Sequence, residues 1–195
     1  MAQGISAFQS DTSYQMTMEP IKTIAVVGPE STGKSTISAQ LADHYNTVWV
    51  PEYAREYCAA LTAPCTWQDE INMFSGQLEL EKQMLPYANK LLICDTTFIT
   101  VKIWSDHMFG ESSREVIDEL PKHPYDLYLL MDIDLPWQND PLRDFPHMRE
   151  HFMEVWHNEL KALDATYHVI SGSNKERLDN AIEMIDGFLG KSYTA

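Results

Sequence analysis

Two hydrophobic periods take turns along this chain. Residues 23–27 are a short β-branched, apolar run ending at Gly28, and residues 33–45 then follow a helical period. Residues 47–50 form a second extended run, stopped by Pro51. A long polar helix is predicted over 68–87, with Ile71, Phe74, Leu78 and Leu85 near helical spacing. Residues 91–94 read as a third strand, followed by an amphipathic stretch to Phe109. Residues 126–131 read as a fourth strand, and 132–146 as a polar segment rich in Pro, Asp and Arg. A helix over 148–163, a strand over 167–170 and a closing helix over 175–189 complete the pattern. Strands alternating with helices predict a parallel sheet covered on both faces. The expected fold class is therefore α/β: a three-layer sandwich on a five-stranded parallel sheet. Residues 1–20 read as a flexible leader, 21–190 as one domain and 191–195 as a tail.

Composition narrows the partners. Of 195 residues, 14 are Lys or Arg and 29 are Asp or Glu, for a formal charge of −15. No basic run exists to bind a nucleic-acid backbone or an anionic membrane surface, so neither partner is expected. No apolar stretch approaches the ~18 residues of a membrane span. The leader lacks both a basic start and an apolar segment, so it is not read as a secretory signal. Cys58, Cys65 and Cys94 form no C-x-x-C pair and are expected as reduced thiols, Cys94 in a core strand. These features predict a cytoplasmic protein with a small-molecule partner; they say nothing of oligomeric state.

The strongest chemical signal is Gly28-Pro29-Glu30-Ser31-Thr32-Gly33-Lys34-Ser35, a G-x-x-x-x-G-K-[ST] phosphate-binding loop between a strand and a helix. Its glycines let backbone N–H groups turn toward phosphate oxygens, and the following helix adds its positive N-terminal dipole. Glu30, Ser31, Thr32, Gly33, Lys34, Ser35 and Thr36 are thus expected to hold ATP, Lys34 as a point charge and Ser35 as a ligand of Mg²⁺. Asp95 ends the apolar run Leu91-Leu92-Ile93-Cys94, which suits the second Mg²⁺-holding position; an N-cap of the next helix is the competing role.

Three classes can be told apart on the letters. A GTPase needs D-x-x-G and N-K-x-D, but Asp95 is followed by Thr-Thr-Phe, and Asn174-Lys175 is followed by Glu-Arg. Phe74-Ser75-Gly76-Gln77 is similar to the signature of transporter ATPases, yet it lacks one glycine and no glutamate follows Asp95, so it reads as a helix fragment. A small-molecule kinase remains. Past the second strand, Glu52 is placed to accept the proton of an acceptor hydroxyl, Arg55 to hold substrate or a phosphate oxygen, and Tyr53 and Tyr57 to stack on a flat ring. The segment 136–146 reads as a mobile lid whose Arg143, with Arg149 just beyond, would neutralise charge on the transferred phosphoryl group. Trp137 either covers a ring or anchors the loop. Lys34, Arg55, Arg143 and Arg149 would gather four of the cations at one site. His147, His151 and His157 have helical spacing but no third metal ligand, and read as solvated. A module that binds ATP and transfers nothing would need neither Glu52 nor Arg143.

Four blocks in order, Gly28 to Ser35, Val50-Pro-Glu-Tyr-Ala-Arg-Glu-Tyr57, Cys94-Asp-Thr-Thr-Phe-Ile-Thr-Val-Lys-Ile-Trp104 and Asp134-Leu-Pro-Trp137 with Leu142-Arg143, resemble the ribosylnicotinamide kinase domain of NadR-type proteins. Val169-Ile-Ser-Gly-Ser173 fits the same pattern, and the resemblance spans residues 22–189. It implies a P-loop kinase fold with sheet order 2-3-1-4-5, and transfer of the ATP γ-phosphate to the 5′-hydroxyl of nicotinamide riboside, giving nicotinamide mononucleotide for NAD salvage. On that reading Glu52 or Asp95 is the base, Glu52 being preferred, and Arg143 and Arg149 belong to the lid. Larger members carry a nucleotidyltransferase domain and some a helix-turn-helix ahead of the kinase. This chain has only the short leader there, and is expected neither to complete NAD nor to repress transcription. Asn139-Asp140-Pro141 departs from the family pattern, where a second acid and a glycine are expected.

Overall fold

The computed structural model describes residues 20–190, so the expected leader (apart from its last residue) and tail lie outside the described residues. Five strands form one parallel sheet: β1 (Lys22–Val27), β2 (Trp49–Val50), β3 (Leu91–Asp95), β4 (Leu127–Met131) and β5 (Tyr167–Ile170). The sheet order is β2-β3-β1-β4-β5, as the P-loop kinase resemblance implies. Seven helices connect and cover it: α1 (Lys34–His44), α2 (Tyr53–Ala60), α3 (Trp67–Met84), α4 (Phe98–Phe109), α5 (Arg114–Glu119), α6 (Arg149–Ala162) and α7 (Asn174–Phe188). Among the described residues no helix is long and apolar enough to cross a membrane.

The central strands β1, β3 and β4 are buried on both faces, and their alternation divides two cores. Ile24 and Val26 of β1 point, with Leu129 and Met131 of β4, to the layer of α1 and α7, where Leu41, Ala181 and Ile185 are fully enclosed. Ala25 and Val27 point the other way, toward Phe74, Phe98, Phe152 and Trp156 of α3, α4 and α6. Cys94 lies in this second core, while Cys58 and Cys65 are partly buried free thiols.

Three local differences from the periodicity have physical causes. β2 keeps two residues rather than the four of 47–50, because Thr47 spends its hydroxyl on the Leu91 carbonyl (2.5 Å) and its N–H on the Ala42 carbonyl (2.9 Å) instead of extending the ladder. The long helix starts one residue earlier than expected, at a capping box of Thr66 and Asp69, and its last turn tightens to a 3₁₀ turn at Leu85–Tyr87, where Pro86 enters. The short α5, capped by the Ser113 hydroxyl, lies in a polar stretch with too few apolar positions to show a period.

A fully parallel sheet places every strand's carboxyl end on one edge. The loop after β1, the Glu52 end of α2, Asp95 at the end of β3 and the segments after β4 and β5 meet there.

Candidate active site

The phosphate-binding loop is built as its letters require. Gly28 (φ +135°) passes so close to β4 that a Cβ would lie 2.9 Å from the Met131 carbonyl oxygen, so only glycine fits. Gly33 is left-handed (φ +80°) and starts α1. The Thr32 hydroxyl donates to the Pro29 carbonyl (2.8 Å) and ties the loop. Lys34 Nζ folds back over it, donating to the carbonyls of Gly28 (3.1 Å) and Pro29 (3.0 Å).

Glu30, Ser31, Thr32, Gly33, Lys34, Ser35 and Thr36 all line one cavity of about 890 Å³. Its wall continues through Glu52 and Arg55 of α2, Glu70 and Met73 of α3, Thr100 and Trp104 of α4, Arg143 of the 132–148 segment and Ser173 to Lys175 at α7. The phosphate loop, Glu52 and the 132–148 segment thus share one enclosure.

Asp95 is 1% exposed, pairs in the sheet with Val26 and sits beneath the start of α1. Burial pushes its carboxyl up to about 6, against a hydrogen bond from Ser35 and the Lys34 charge. Its Oδ1 is buried without a hydrogen-bond partner, as are the hydroxyls of Thr96, Thr97 and Thr100. A buried carboxylate oxygen beside a serine hydroxyl is the hard oxygen set that Mg²⁺ takes. Asp95 is not the cap of α4; Thr97 holds that position.

The lid segment is folded onto the phosphate loop. Gln138 N–H donates to Ser31 Oγ (2.8 Å), and Phe145 N–H to Glu30 Oε2 (3.3 Å). Phe145 is seated among Trp104, His107 and Phe152. Arg143 donates to the Gln138 carbonyl (2.8 Å) with its guanidinium against Ser31. Arg55 forms an ion pair with Asp140, so that α2 and the lid are latched across the cavity. Asp140, part of the segment that departs from the family pattern, is therefore the lid's anchor.

Several side chains stand elsewhere than their letters imply. The Tyr53 ring lies against the Cα of Gly76 on α3, which leaves no room for any side chain at that position. Tyr57 donates its hydroxyl to Asp69 (2.8 Å) and accepts from Asn72 (2.9 Å). Neither tyrosine lines the cavity, and both pack α2 onto α3. Trp137 donates to Asn139 Oδ1 (3.0 Å) outside the cavity wall. Arg149 braces the base of the lid by donating to the Leu135 carbonyl (2.8 Å), and burial lowers its pKa.

Three contributions escape the letters. Arg177 is 2% exposed and lines the cavity. It donates to the carbonyls of Thr32 (2.9 Å), Gly172 (2.7 Å) and Asp132, and pairs with Asp134, joining the phosphate loop to the segments after β4 and β5. The signal was available: Arg177 shares the four-residue spacing of Ala181 and Ile185, and a charge on a buried stripe needs a purpose. Gln77, inside the fragment Phe74 to Gln77, accepts the Tyr53 N–H (2.9 Å) and fixes the start of α2 beside Glu52. Glu81 extends this link: it meets Gln77 and accepts the Tyr125 hydroxyl (2.6 Å), and burial raises its pKa to about 7.

The AAA domain family matches residues 23–177. The chain is 26% identical over 178 residues to the trifunctional NAD biosynthesis/regulator protein NadR of Salmonella typhimurium, covering 88% of this chain and 43% of that one. It therefore spans less than half the length of this relative. A NadR protein solved in complex with NR superposes with a TM-score of 0.71 at 21% identity, over 90% of this chain and 52% of the other. A thymidylate kinase from Ehrlichia chaffeensis superposes at 0.59 and 15% identity, over 87% and 99%. From the phosphate loop through the lid to Arg177, the chain belongs to the AAA domain family, with the P-loop fold of the NadR type.

Proposed function

We propose that this chain is a kinase that uses MgATP to phosphorylate the 5′-hydroxyl of nicotinamide riboside, giving nicotinamide mononucleotide. The observation that carries the reading is that the phosphate loop, Glu52 and Arg143 line one cavity. The NR bound by the NadR protein of like fold supports this acceptor. The place of Glu52 above the sheet edge supports transfer rather than nucleotide binding alone.

Lys34 and the N–H groups at the start of α1 hold the β- and γ-phosphates. Ser35 and Asp95 would hold Mg²⁺, which neutralises charge between phosphate oxygens. Glu52 accepts the proton of the 5′-hydroxyl. The bond from the 5′-oxygen to the γ-phosphorus forms as the bond from that phosphorus to the bridging oxygen breaks, and ADP leaves. Arg143 neutralises the phosphoryl group in flight. Folded down by Glu30 and Ser31, the lid keeps water from competing for it. Arg55 and Asp140 close the acceptor side, and Arg177 holds the phosphate loop in shape. Little covalent chemistry is asked of the protein; positioning and charge carry the rate.

Glu52→Gln tests the assignment. It is expected to bind ATP with unchanged affinity and to lose about 10²-fold or more in kcat, the usual share of a positioned base. Equilibrium nucleotide binding measured beside steady-state turnover checks both halves. Turnover near that of the wild type would remove Glu52 as the base.

A further inference from the structure

The cations of the cavity wall gather at one end: Lys34, Arg143, Lys175 and Arg177 belong to the phosphate loop, the lid and the start of α7, with Glu30 and Asp144 beside them. Lys175, Arg177 and Arg55 are paired with Asp179, Asp134 and Asp140. Beyond the Glu52 end of α2 the wall changes character to Cys58 of α2, Met73 of α3 and Trp104 of α4, with one carboxylate among them, Glu70 of α3. Glu70 is 6% exposed. Cys65 Sγ donates to it at 3.6 Å and Ser105 of α4 hydrogen-bonds to it. Among the described residues, none of the ion pairs includes Glu70.

Ser105 lies seven residues beyond Phe98, the first residue of α4, and so about 10 Å along that helix from its start at the ~1.5 Å rise per residue. Glu52 and Glu70 line the same cavity, and a nucleoside with its 5′-hydroxyl at Glu52 would extend its ring along this wall toward Glu70. A carboxylate buried there without a cation is costly, and a cationic ligand would relieve that cost. Burial accordingly raises the Glu70 carboxyl to about 7 in the free protein. Trp104 and Met73 in the same wall offer polarisable surface to a flat positive ring.

We propose that Glu70 reads the positive charge of the acceptor's ring and makes the cavity selective for a pyridinium nucleoside over a neutral one of the same shape. The inference rests on the kinase reading above and deepens it. Nicotinamide riboside and its reduced dihydro form supply the comparison, since they share ribose and carboxamide and differ in ring charge. The wild type is expected to phosphorylate the cationic riboside with a kcat/KM at least about tenfold higher. Glu70→Gln should erase most of this preference through KM for the cation, leaving KM for MgATP and kcat for the dihydro form in place. An unchanged preference in Glu70→Gln, or a wild type without preference, overturns the inference alone; the wild-type ratio decides even where the variant does not fold. A wild type that phosphorylates neither riboside overturns the kinase reading and this inference with it.

Discussion

Arg143→Ala is expected to lower kcat by about 10³ to 10⁵, the range for an arginine that meets a transferred phosphoryl group. The guanidinium lines the cavity and is held by the Gln138 carbonyl beside Ser31, so it is already aimed over the phosphate loop. Its contribution is realised as charge develops on the phosphoryl oxygens, and the loss should therefore fall on kcat. Folding should be little affected, because the side chain is part-exposed and the lid keeps its other ties at Glu30, Ser31 and Asp140. Steady-state kinetics at saturating MgATP, beside a melting curve, provides the check. A variant with wild-type kcat and a raised KM for ATP would make Arg143 a binding residue instead.

Lys34→Ala should cost roughly 10³-fold in turnover, at the upper end of what one electrostatic contact contributes. Lys34 Nζ now occupies the mouth of the loop, bonded to the Gly28 and Pro29 carbonyls, where the β- and γ-phosphates would lie. Removing it leaves the backbone cradle, the helix dipole and the Arg177 brace in place. The variant should thus fold and keep some nucleotide affinity while single-turnover transfer collapses. Retained transfer would contradict the role of the loop.

The sequence disclosed the frame of the site well. The spacing from Gly28 to Ser35 works because a strand and a helix flank it, and both are legible in the apolar pattern. Five short apolar runs between helices foretold a parallel sheet, since parallel strands need crossovers; its order came with the P-loop kinase resemblance. Where the reading fell short, tertiary partners decided. Tyr53 and Tyr57 have the right chemistry for stacking on a ligand, but α3 offers Gly76, Asp69 and Asn72 first. Arg55 has the chemistry to hold substrate or a phosphate oxygen, but Asp140, eighty-five positions away, pairs with it. Arg149 stands behind the lid, and Arg177 takes its place in the cavity wall. Glu70 was hidden in a helix whose polar residues look like a solvated face; only the packing of α4 against α3 buries it.

The central claim is that one cavity joins MgATP to nicotinamide riboside. ADP release measured with the wild-type chain over a panel of purine and pyrimidine nucleosides, with nicotinamide riboside among them, tests it most directly. The highest kcat/KM is expected with nicotinamide riboside, and 5′-phosphorylated riboside as the product. ADP release that responds to a purine or pyrimidine nucleoside and not to nicotinamide riboside would contradict it.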